Sequence, residues 1–256
     1  MNTPPELHQQ APVTSGLDPV SSSTEFEDFI YLVSHDVRNS VRALIELPQW
    51  ISDDLAEAGI KVEGSVAESI ALMNSHTGRL DRMLVDLLAF SRVGRMQDVS
   101  EIAVDVALTE VLEEMRIPPG FQVRAELDTN DLYIGERDGL TLLTQLISNA
   151  IKHHDKTAGS ILISFCEEAG QTVLRVEDDG PGIAPEYREK IFGAMTTLRP
   201  RDEVEGSGMG LAIVRKIAQV YGGRATVSDA KGARGTLIEV SLPKQPAALP
   251  CSPAQS

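Results

Sequence analysis

The chain has 256 residues, of which 42% are hydrophobic, and a formal net charge of -15. This length can hold one large domain or two modest ones, and the hydrophobic content is ordinary for a folded protein. The acidic balance argues against nucleic acid as a partner, because binding a phosphate backbone needs an excess of Lys and Arg.

Cysteines and long apolar runs are both scarce. The two cysteines, Cys166 and Cys251, form no disulfide framework and lack metal-ligand spacing, which fits a reducing compartment. No stretch approaches the ~18 consecutive apolar residues of a membrane span, and the N-terminus lacks a signal-peptide pattern. We therefore expect a cytoplasmic protein without a membrane span.

The two ends of the chain differ in composition from its middle. Residues 1–23 and 244–256 are rich in Pro, Ser, Thr and Gln, so we expect both segments to be disordered. The N-terminal segment is too short to fold as a sensor domain, so a separate sensor protein is expected to supply any signal. Between the ends, the periodicity changes near residue 100, which predicts a helical domain over 24–97 and an α/β domain over 98–243.

Two runs in the helical half have heptad spacing. They predict a helical hairpin with a break at residues 58–65, and a lone hairpin buries too little surface to be stable. We therefore expect a second copy to complete a homodimeric four-helix bundle, with a hairpin packed on its own C-terminal domain as the alternative. The first run comprises Phe26, Ile30, Val33, Val37, Ser40, Leu44, Leu47 and Ile51, and the second comprises Val66, Ile70, Met73, Thr77, Leu80, Leu84 and Leu87.

His35 lies in the first of these predicted helices. With Val33 and Val37 on the seam, the imidazole is expected on the solvent-facing side of the helix. Asp36 could accept its proton or orient the ring so that the free nitrogen becomes nucleophilic. Asn39, one turn further along, could position a water molecule for attack on a phospho-aspartate. A solvated polar face is the alternative reading.

The segment SHDVRNSVRAL resembles the phospho-acceptor box of histidine kinases, whose pattern is Ser-His-Glu/Asp-x-x-Thr/Asn-Pro. His35, Asp36 and Asn39 match that pattern, whereas Ser40 replaces the usual proline and Pro48 follows two turns later. Proline removes a backbone hydrogen bond wherever it lies in a helix, so the usual bend could be relocated to Pro48. The resemblance implies autophosphorylation of His35.

Strand-like and helical runs alternate in the second half. Helices are predicted around 106–116, 137–153 and 209–221, and strands at 161–167 and 171–178 meet at a short turn, as in an antiparallel hairpin. An α/β sandwich of mixed strand order is predicted, unlike a doubly wound parallel sheet. The strand-like runs are FQVRAEL, LYI, SILISFCEE, TVLRVEDD, RATVSDA and GTLIEVSLP.

The helical run LLTQLISNAIKHHD carries polar residues beside its apolar side. The amide oxygen of Asn149 could hold Mg²⁺, and the ammonium group of Lys152 could meet a phosphate. The run resembles the N box of histidine kinases, which implies that Asn149 is the metal ligand. Gln145 replaces an acid found in many relatives, so any base role must rest on Asp36.

The double histidine of the same run, His153 and His154, could suggest a metal site. Adjacent side chains on a helix point in different directions, so we expect none there.

Two glycine-rich segments follow. In VEDDGPGI, the carboxylate of Asp178 could accept a hydrogen bond from an adenine amino group, while Gly180 and Gly182 let the base approach the backbone. This segment resembles the Asp-x-Gly-x-Gly box of the gyrase-like ATPases. In GSGMGL, three glycines and Leu211 open a helix whose bare N–H groups could face phosphates; the glycines are Gly206, Gly208 and Gly210.

The segment between the two glycine boxes is long and polar enough to close over a nucleotide as a lid. Its Arg199 and Arg201 could reach phosphate oxygens, or water alone could solvate them. The order of the boxes, closed by Thr236, resembles the ATP-binding domain of histidine kinases. The lid and the HHD ending of the N-box run are most similar to those of phytochrome-type kinases.

This resemblance implies a kinase that uses Mg²⁺ and ATP to phosphorylate His35 and then passes the phosphate to an aspartate of a response regulator receiver domain, with phosphatase activity toward the same regulator. The rival readings are a phosphatase or phosphotransfer protein with little kinase activity, and a non-catalytic dimeric adaptor that docks a regulator.

Overall fold

The computed structural model describes residues 19–199, 206–232 and 234–244, without the side chains of residues 19–28 and 35. Two long helices come first, α1 (Pro19–Glu57) and α2 (Gly64–Arg92), joined by a short loop. This is the predicted hairpin. Helix α1 begins inside the segment that was expected to be disordered through residue 23, whereas residues 1–18 lie outside the described part of the chain.

The contact between the two helices uses a different row of α1 from the predicted seam. Ser34, Val41 and Pro48 are buried against the rest of the chain, with the same spacing of seven residues. The adjacent predicted row stays open: Val33, Val37, Leu44, Leu47 and Ile51 are 38% to 48% exposed. The predicted row is therefore an exposed apolar stripe along α1, separate from the buried row.

The second half is a two-layer α/β sandwich. Its strands are β1 (Val99–Ala103), β2 (Phe121–Leu127), β3 (Asp131–Gly135), β4 (Gly159–Glu168), β5 (Gln171–Asp178), β6 (Arg224–Asp229) and β7 (Thr236–Pro243), and its helices are α3 (Val104–Met115), α4 (Glu136–Lys152) and α5 (Gly210–Val220). Five strands form a mixed sheet in the order β2-β4-β5-β7-β6, in which only β2 and β4 run parallel, and a two-stranded sheet pairs β1 with β3. The predicted α/β sandwich of mixed strand order is confirmed.

The core lies between this sheet and the helices. Strands β4, β5 and β7 point alternate residues inward, and α4 and α5 meet them with apolar faces, as expected for elements that are buried on one side. Ile163 and Val240 from the sheet and Leu146 and Ile213 from the helices are fully or almost fully buried. The core fixes α4, α5 and the end of β5 relative to one another.

Hydrogen bonds tie the end of α2 to the sandwich. The N–H of Gly94 donates to Oδ2 of Asp138 (2.7 Å), which also accepts the hydroxyl proton of Tyr221 (2.9 Å). Arg137 donates to the backbone carbonyls of Arg92 and Arg95, each at 2.7 Å. The hairpin is thus anchored at the start of α4, the helix that carries the run resembling the N box.

Candidate functional site

A cavity of about 510 Å³ opens between α2, α4 and the loops that follow β5 and precede α5. Its size lies in the range typical of small-molecule sites, roughly 300–1,000 Å³. It collects residues from three separate sequence motifs. The predicted site residues that line it are Asn149, Lys152, Asp178, Gly182, Arg199, Gly206, Gly208, Gly210, Leu211 and Thr236.

Among the described residues, one predicted binding residue does not line the cavity. Gly180 lies two residues after Asp178, and its backbone N–H donates to the Asp178 carboxylate. Arg201 lies outside the described residues.

Asp178 stands at the end of β5 with one oxygen already held. Its Oδ1 accepts the N–H groups of Gly180 (2.8 Å) and Thr236 (3.2 Å). Burial raises the pKa of this carboxyl, and the two N–H groups oppose that effect. A side chain at Gly235 would collide with the carbonyl oxygen of Asp178, so a glycine is needed for β7 to approach this closely. The arrangement presents a fixed carboxylate to a ligand.

Helix α4 contributes one polar face to the cavity wall. Gln145, Ser148, Asn149 and Lys152 recur at spacings of three and four and all line it. Burial, followed by the charges of Arg199 and Lys152, lowers the pKa of the neighbouring His153 imidazole, which favours its neutral form. The cavity wall here offers amide, hydroxyl and ammonium groups.

The oxygen donors around Asn149 suit a metal ion that is held partly by the protein and partly by the phosphates of a bound substrate. Among the described residues, no group of three or more His, Cys, Asp or Glu side chains could enclose an ion. A single amide oxygen suits Mg²⁺, which keeps several waters and is commonly shared with the phosphates of a substrate.

The glycine-rich loop before α5 is folded back against the cavity. Gly208 has a φ of 75°, and a side chain there would lie 2.7 Å from the carbonyl oxygen of Thr196. The N–H of Met209 donates to Oγ of Ser207 (3.0 Å), and α5 begins at the next residue, with Gly210 and Leu211 on the cavity wall. Backbone N–H groups at a helix start form a favourable place for phosphate.

The hairpin supplies a wall that the motifs did not reveal. Arg82, Val85 and Asp86 of α2 line the same cavity. The Oγ of Ser207 donates to Oδ2 of Asp86 at 2.5 Å, which joins the glycine-rich loop to the hairpin. Nothing in the local sequence of α2 marks these residues, because their place depends on how the two halves dock.

The backbone of His35 lies level with this wall. The guanidinium of Arg92 donates to the Tyr31 hydroxyl (3.3 Å), and Arg38 pairs with Asp81 (3.3 Å). His35 lies between Tyr31 and Arg38 in α1, so its backbone is at the height of the part of α2 between Asp81 and Arg92, which includes the cavity-lining residues. The side chain of His35 lies outside the described atoms.

The two neighbours predicted to assist His35 are both exposed. Asp36 and Asn39 lie on the surface of α1, and the Oγ of Ser40 donates to the carbonyl oxygen of Asp36 (3.4 Å). Helix α1 continues through Ser40 and ends beyond Pro48, which it contains. The structure thus places Asp36 and Asn39 where a partner molecule can reach them.

Residues 136–246 match the family model described as "Histidine kinase-, DNA gyrase B-, and HSP90-like ATPase". The chain is 32% identical over 232 residues to the methanogenesis regulatory histidine kinase FilI of Methanothrix harundinacea, covering 87% of this chain and 25% of FilI. It is 30% identical to cyanobacterial phytochrome A of Nostoc sp., covering 84% of this chain and 28% of that protein. The chain thus spans about a quarter of the length of these relatives.

Solved structures share the fold. Full-length ShkA in complex with AMPPNP aligns with a TM-score of 0.64 at 22% identity, over 87% of this chain and 47% of ShkA. Histidine kinase ThkA in complex with the response regulator protein TrrA aligns with a TM-score of 0.61 at 19% identity, over 93% of this chain and 69% of that chain. Within the described residues, none of the helices has the length and apolar character needed to cross a bilayer.

Proposed function

We propose that this chain, which contains the core of a sensor histidine kinase with a gyrase-like ATPase domain, transfers the γ-phosphate of ATP to His35. One observation carries the proposal: a single cavity unites Asn149, Asp178 and Gly208, one from each of three motifs, beside the hairpin that bears His35. ATP needs recognition of its base, its phosphates and its metal, and the three motifs supply one each.

Recognition of the adenine would rest on Asp178. Its fixed carboxylate can accept a hydrogen bond from the amino group of adenine, and guanine has no amino group at that position. The phosphates would lie against the N–H groups at the start of α5 and against Lys152. Asn149 would hold Mg²⁺ together with the phosphates; Mg²⁺ supplies charge neutralisation when bound.

His35 would receive the phosphate as a nucleophile. Its exposed neighbour Asp36 can take the imidazole proton or orient the ring, and Gln145 offers no carboxylate for that task. Because Asp36 lies beside His35 rather than in the cavity, it can act only when the cavity and α1 come together. Movement of the nucleotide domain over the hairpin is therefore part of the proposed reaction.

The phosphate would pass from His35 to an aspartate of a response regulator receiver domain. The support is the fold shared with ThkA, whose structure includes a response regulator, together with the exposure of Asp36 and Asn39. We further propose that Asn39 positions water for the reverse task, removal of phosphate from that regulator. Because ATP is the donor, this core would work on the cytoplasmic side.

Incubation of the purified protein with Mg²⁺ and γ-labelled ATP tests the kinase reaction. We expect a label that is lost in acid, as phosphohistidine is, and that disappears in His35→Ala and Asn149→Ala. His76→Ala is the matched control, because His76 is an exposed histidine of α2 and its loss should leave the label unchanged.

An acid-stable label, or labelling that survives in His35→Ala, would contradict the proposal. No labelling of the wild-type protein, combined with removal of phosphate from a phosphorylated receiver domain, would favour the phosphatase reading. Docking of a receiver domain with neither reaction would favour the adaptor.

A further inference from the structure

Two residues just after α4, His154 and Asp155, connect to the Asp178 turn without lining the cavity, His154 through Asp179 and Asp155 through Arg234. The His154 side chain is completely buried, and its ring meets Phe121 edge to face with centroids 5.3 Å apart. Asp155 is half-exposed on the surface beside it. Both residues close the run that resembles the N box, beyond the side chains of that run that line the cavity.

The hydrogen bonds of His154 define its tautomer and its partner. Nδ1 accepts the N–H of Lys156 (3.1 Å), so in the neutral ring the proton is on Nε2. Nε2 then donates to Oδ1 of Asp179 (3.1 Å), and the same oxygen accepts the N–H of Ser160 (2.7 Å). Asp179 is thereby fixed to both α4 and the start of β4.

Asp155 forms a second connection to the same turn. Its Oδ1 pairs with Arg234 at 2.6 Å, and Nε of Arg234 donates to the carbonyl oxygen of Gly180 at 2.8 Å. Gly180 in turn donates its N–H to Asp178. The hydrogen bond from His154 therefore holds Asp179, and the contact from Asp155 through Arg234 holds Gly180.

The contact leaves little room for the turn to shift. A side chain added at Gly159 would lie 2.6 Å from Nε2 of His154 and 2.9 Å from Oδ1 of Asp179. The strand carrying Gly159 thus packs directly over the His154–Asp179 hydrogen bond. A turn held this tightly keeps Asp178 in one orientation before any ligand arrives, which lowers the ordering cost of binding.

We propose that His154 and Asp155 are positioning residues that set adenine selectivity by holding the Asp178 turn. The inference rests on the proposed function, since it concerns the same nucleotide cavity. The His-Asp pair follows directly after α4, the helix that bears Asn149, and its contacts reach the turn that bears Asp178. Both sides of the site are thus positioned from one end of α4.

Calorimetric measurement of ATP and GTP affinity tests the inference, because it reports nucleotide binding and not phosphoryl transfer. In His154→Ala we expect ATP affinity to fall about tenfold, the size expected for losing one hydrogen bond to a charged group. GTP affinity should change little, because guanine does not gain from the orientation of Asp178. The ratio of ATP to GTP affinity should therefore fall, and His154→Gln, which retains an N–H donor, should restore part of it.

Arg234→Ala tests the more exposed contact, from Asp155 to Gly180, where a substitution is less damaging to folding than at the buried His154. Arg234→Ala should lower the ratio of ATP to GTP affinity. Arg175→Ala is the control and should leave that ratio unchanged: Arg175 pairs with Glu168 and Glu239, and none of its hydrogen bonds within the described residues reaches the Asp178 turn. Unchanged ATP affinity and selectivity in both His154→Ala and Arg234→Ala would overturn the inference. Failure of the wild-type protein to bind ATP would instead overturn the proposed function, so the two failures are distinguishable.

Discussion

At the scale of the residue, Asp178 is the group whose protonation matters most for the proposed base recognition. Burial raises the pKa of its carboxyl above the ordinary value for aspartate, about 3.9. The protonated form is a weaker acceptor for the adenine amino group. As the solution is made acidic, ATP affinity should therefore begin to fall at a higher pH than it would if Asp178 had the pKa of an ordinary aspartate.

The same shift acts on stability with the opposite sign. A carboxyl whose pKa is raised in the folded state binds its proton more tightly there than in the unfolded chain. Its favourable contribution is thus full below the unfolded pKa and is lost as the pH rises through the folded pKa. Acid should weaken nucleotide binding through Asp178 while relieving the cost of burying its charge.

Comparison of ADP affinity between the wild-type protein and Asp178→Asn over a pH series tests this expectation. Protonation of the phosphates affects both proteins alike, so it cancels in the ratio of the two affinities. That ratio should be largest near neutral pH and should shrink in acid. A ratio that stays constant across the series would show that Asp178 does not titrate in this range.

At the scale of the element, local patterns were sufficient where burial alone determines structure. The run FQVRAEL, residues 121–127, is β2 as observed, and the hairpin of β4 and β5 forms at the predicted turn. Strand β1 was missed, because it is short and pairs with β3 across about thirty residues of sequence rather than with a neighbour. Its partner is determined by tertiary packing that no local pattern records.

The anchor at the end of α2 is also a tertiary feature. Tyr221 and Asp138 are almost fully buried, and the Tyr221 hydroxyl both donates to Asp138 and accepts the N–H of Gly135 at 3.1 Å. Tyr221→Phe would leave the Gly135 N–H without this acceptor and Asp138 without this donor. Such a loss costs about 1–3 kcal/mol.

Urea denaturation of Tyr221→Phe should show a free energy of unfolding lower by that amount. Limited proteolysis should cleave the segment around Gly94 faster, since Asp138 also accepts the Gly94 N–H. Tyr187→Phe is the control, because Tyr187 is an exposed tyrosine and its change should be close to neutral. Equal stability of the two variants would mean that the buried hydroxyl does not hold the anchor.

At the scale of the whole molecule, the docking of the two halves is the part that the sequence could least predict. The motifs indicated most of the cavity residues from α4, β5 and α5, because each motif is local. Asp86 gave no such signal, although it contacts Ser207 across more than a hundred residues. The heptad pattern also did not show which row of α1 is buried, because neighbouring heptad rows overlap on a long helix.

The open stripe of the hairpin leads to a prediction about assembly. In α1 it includes Leu44 and Leu47, 48% and 40% exposed, and in α2 it includes Met73 at 41%. Surfaces of this kind along helices joined as a hairpin are completed most simply by the same surface of a second copy. We therefore expect the protein to be a dimer whose four helices form one bundle.

A Leu44→Glu, Leu47→Glu double variant should be monomeric by sedimentation equilibrium, because carboxylates cannot be buried unpaired in the bundle. Neither Leu44 nor Leu47 lines the cavity, so ATP affinity should be retained. Leu72→Glu is the matched control: Leu72 is 59% exposed but lies off the predicted row, and its variant should stay dimeric. A double variant that sediments as the wild type does would exclude this stripe as the dimer interface, whereas a monomer that still binds ATP would separate assembly from nucleotide recognition.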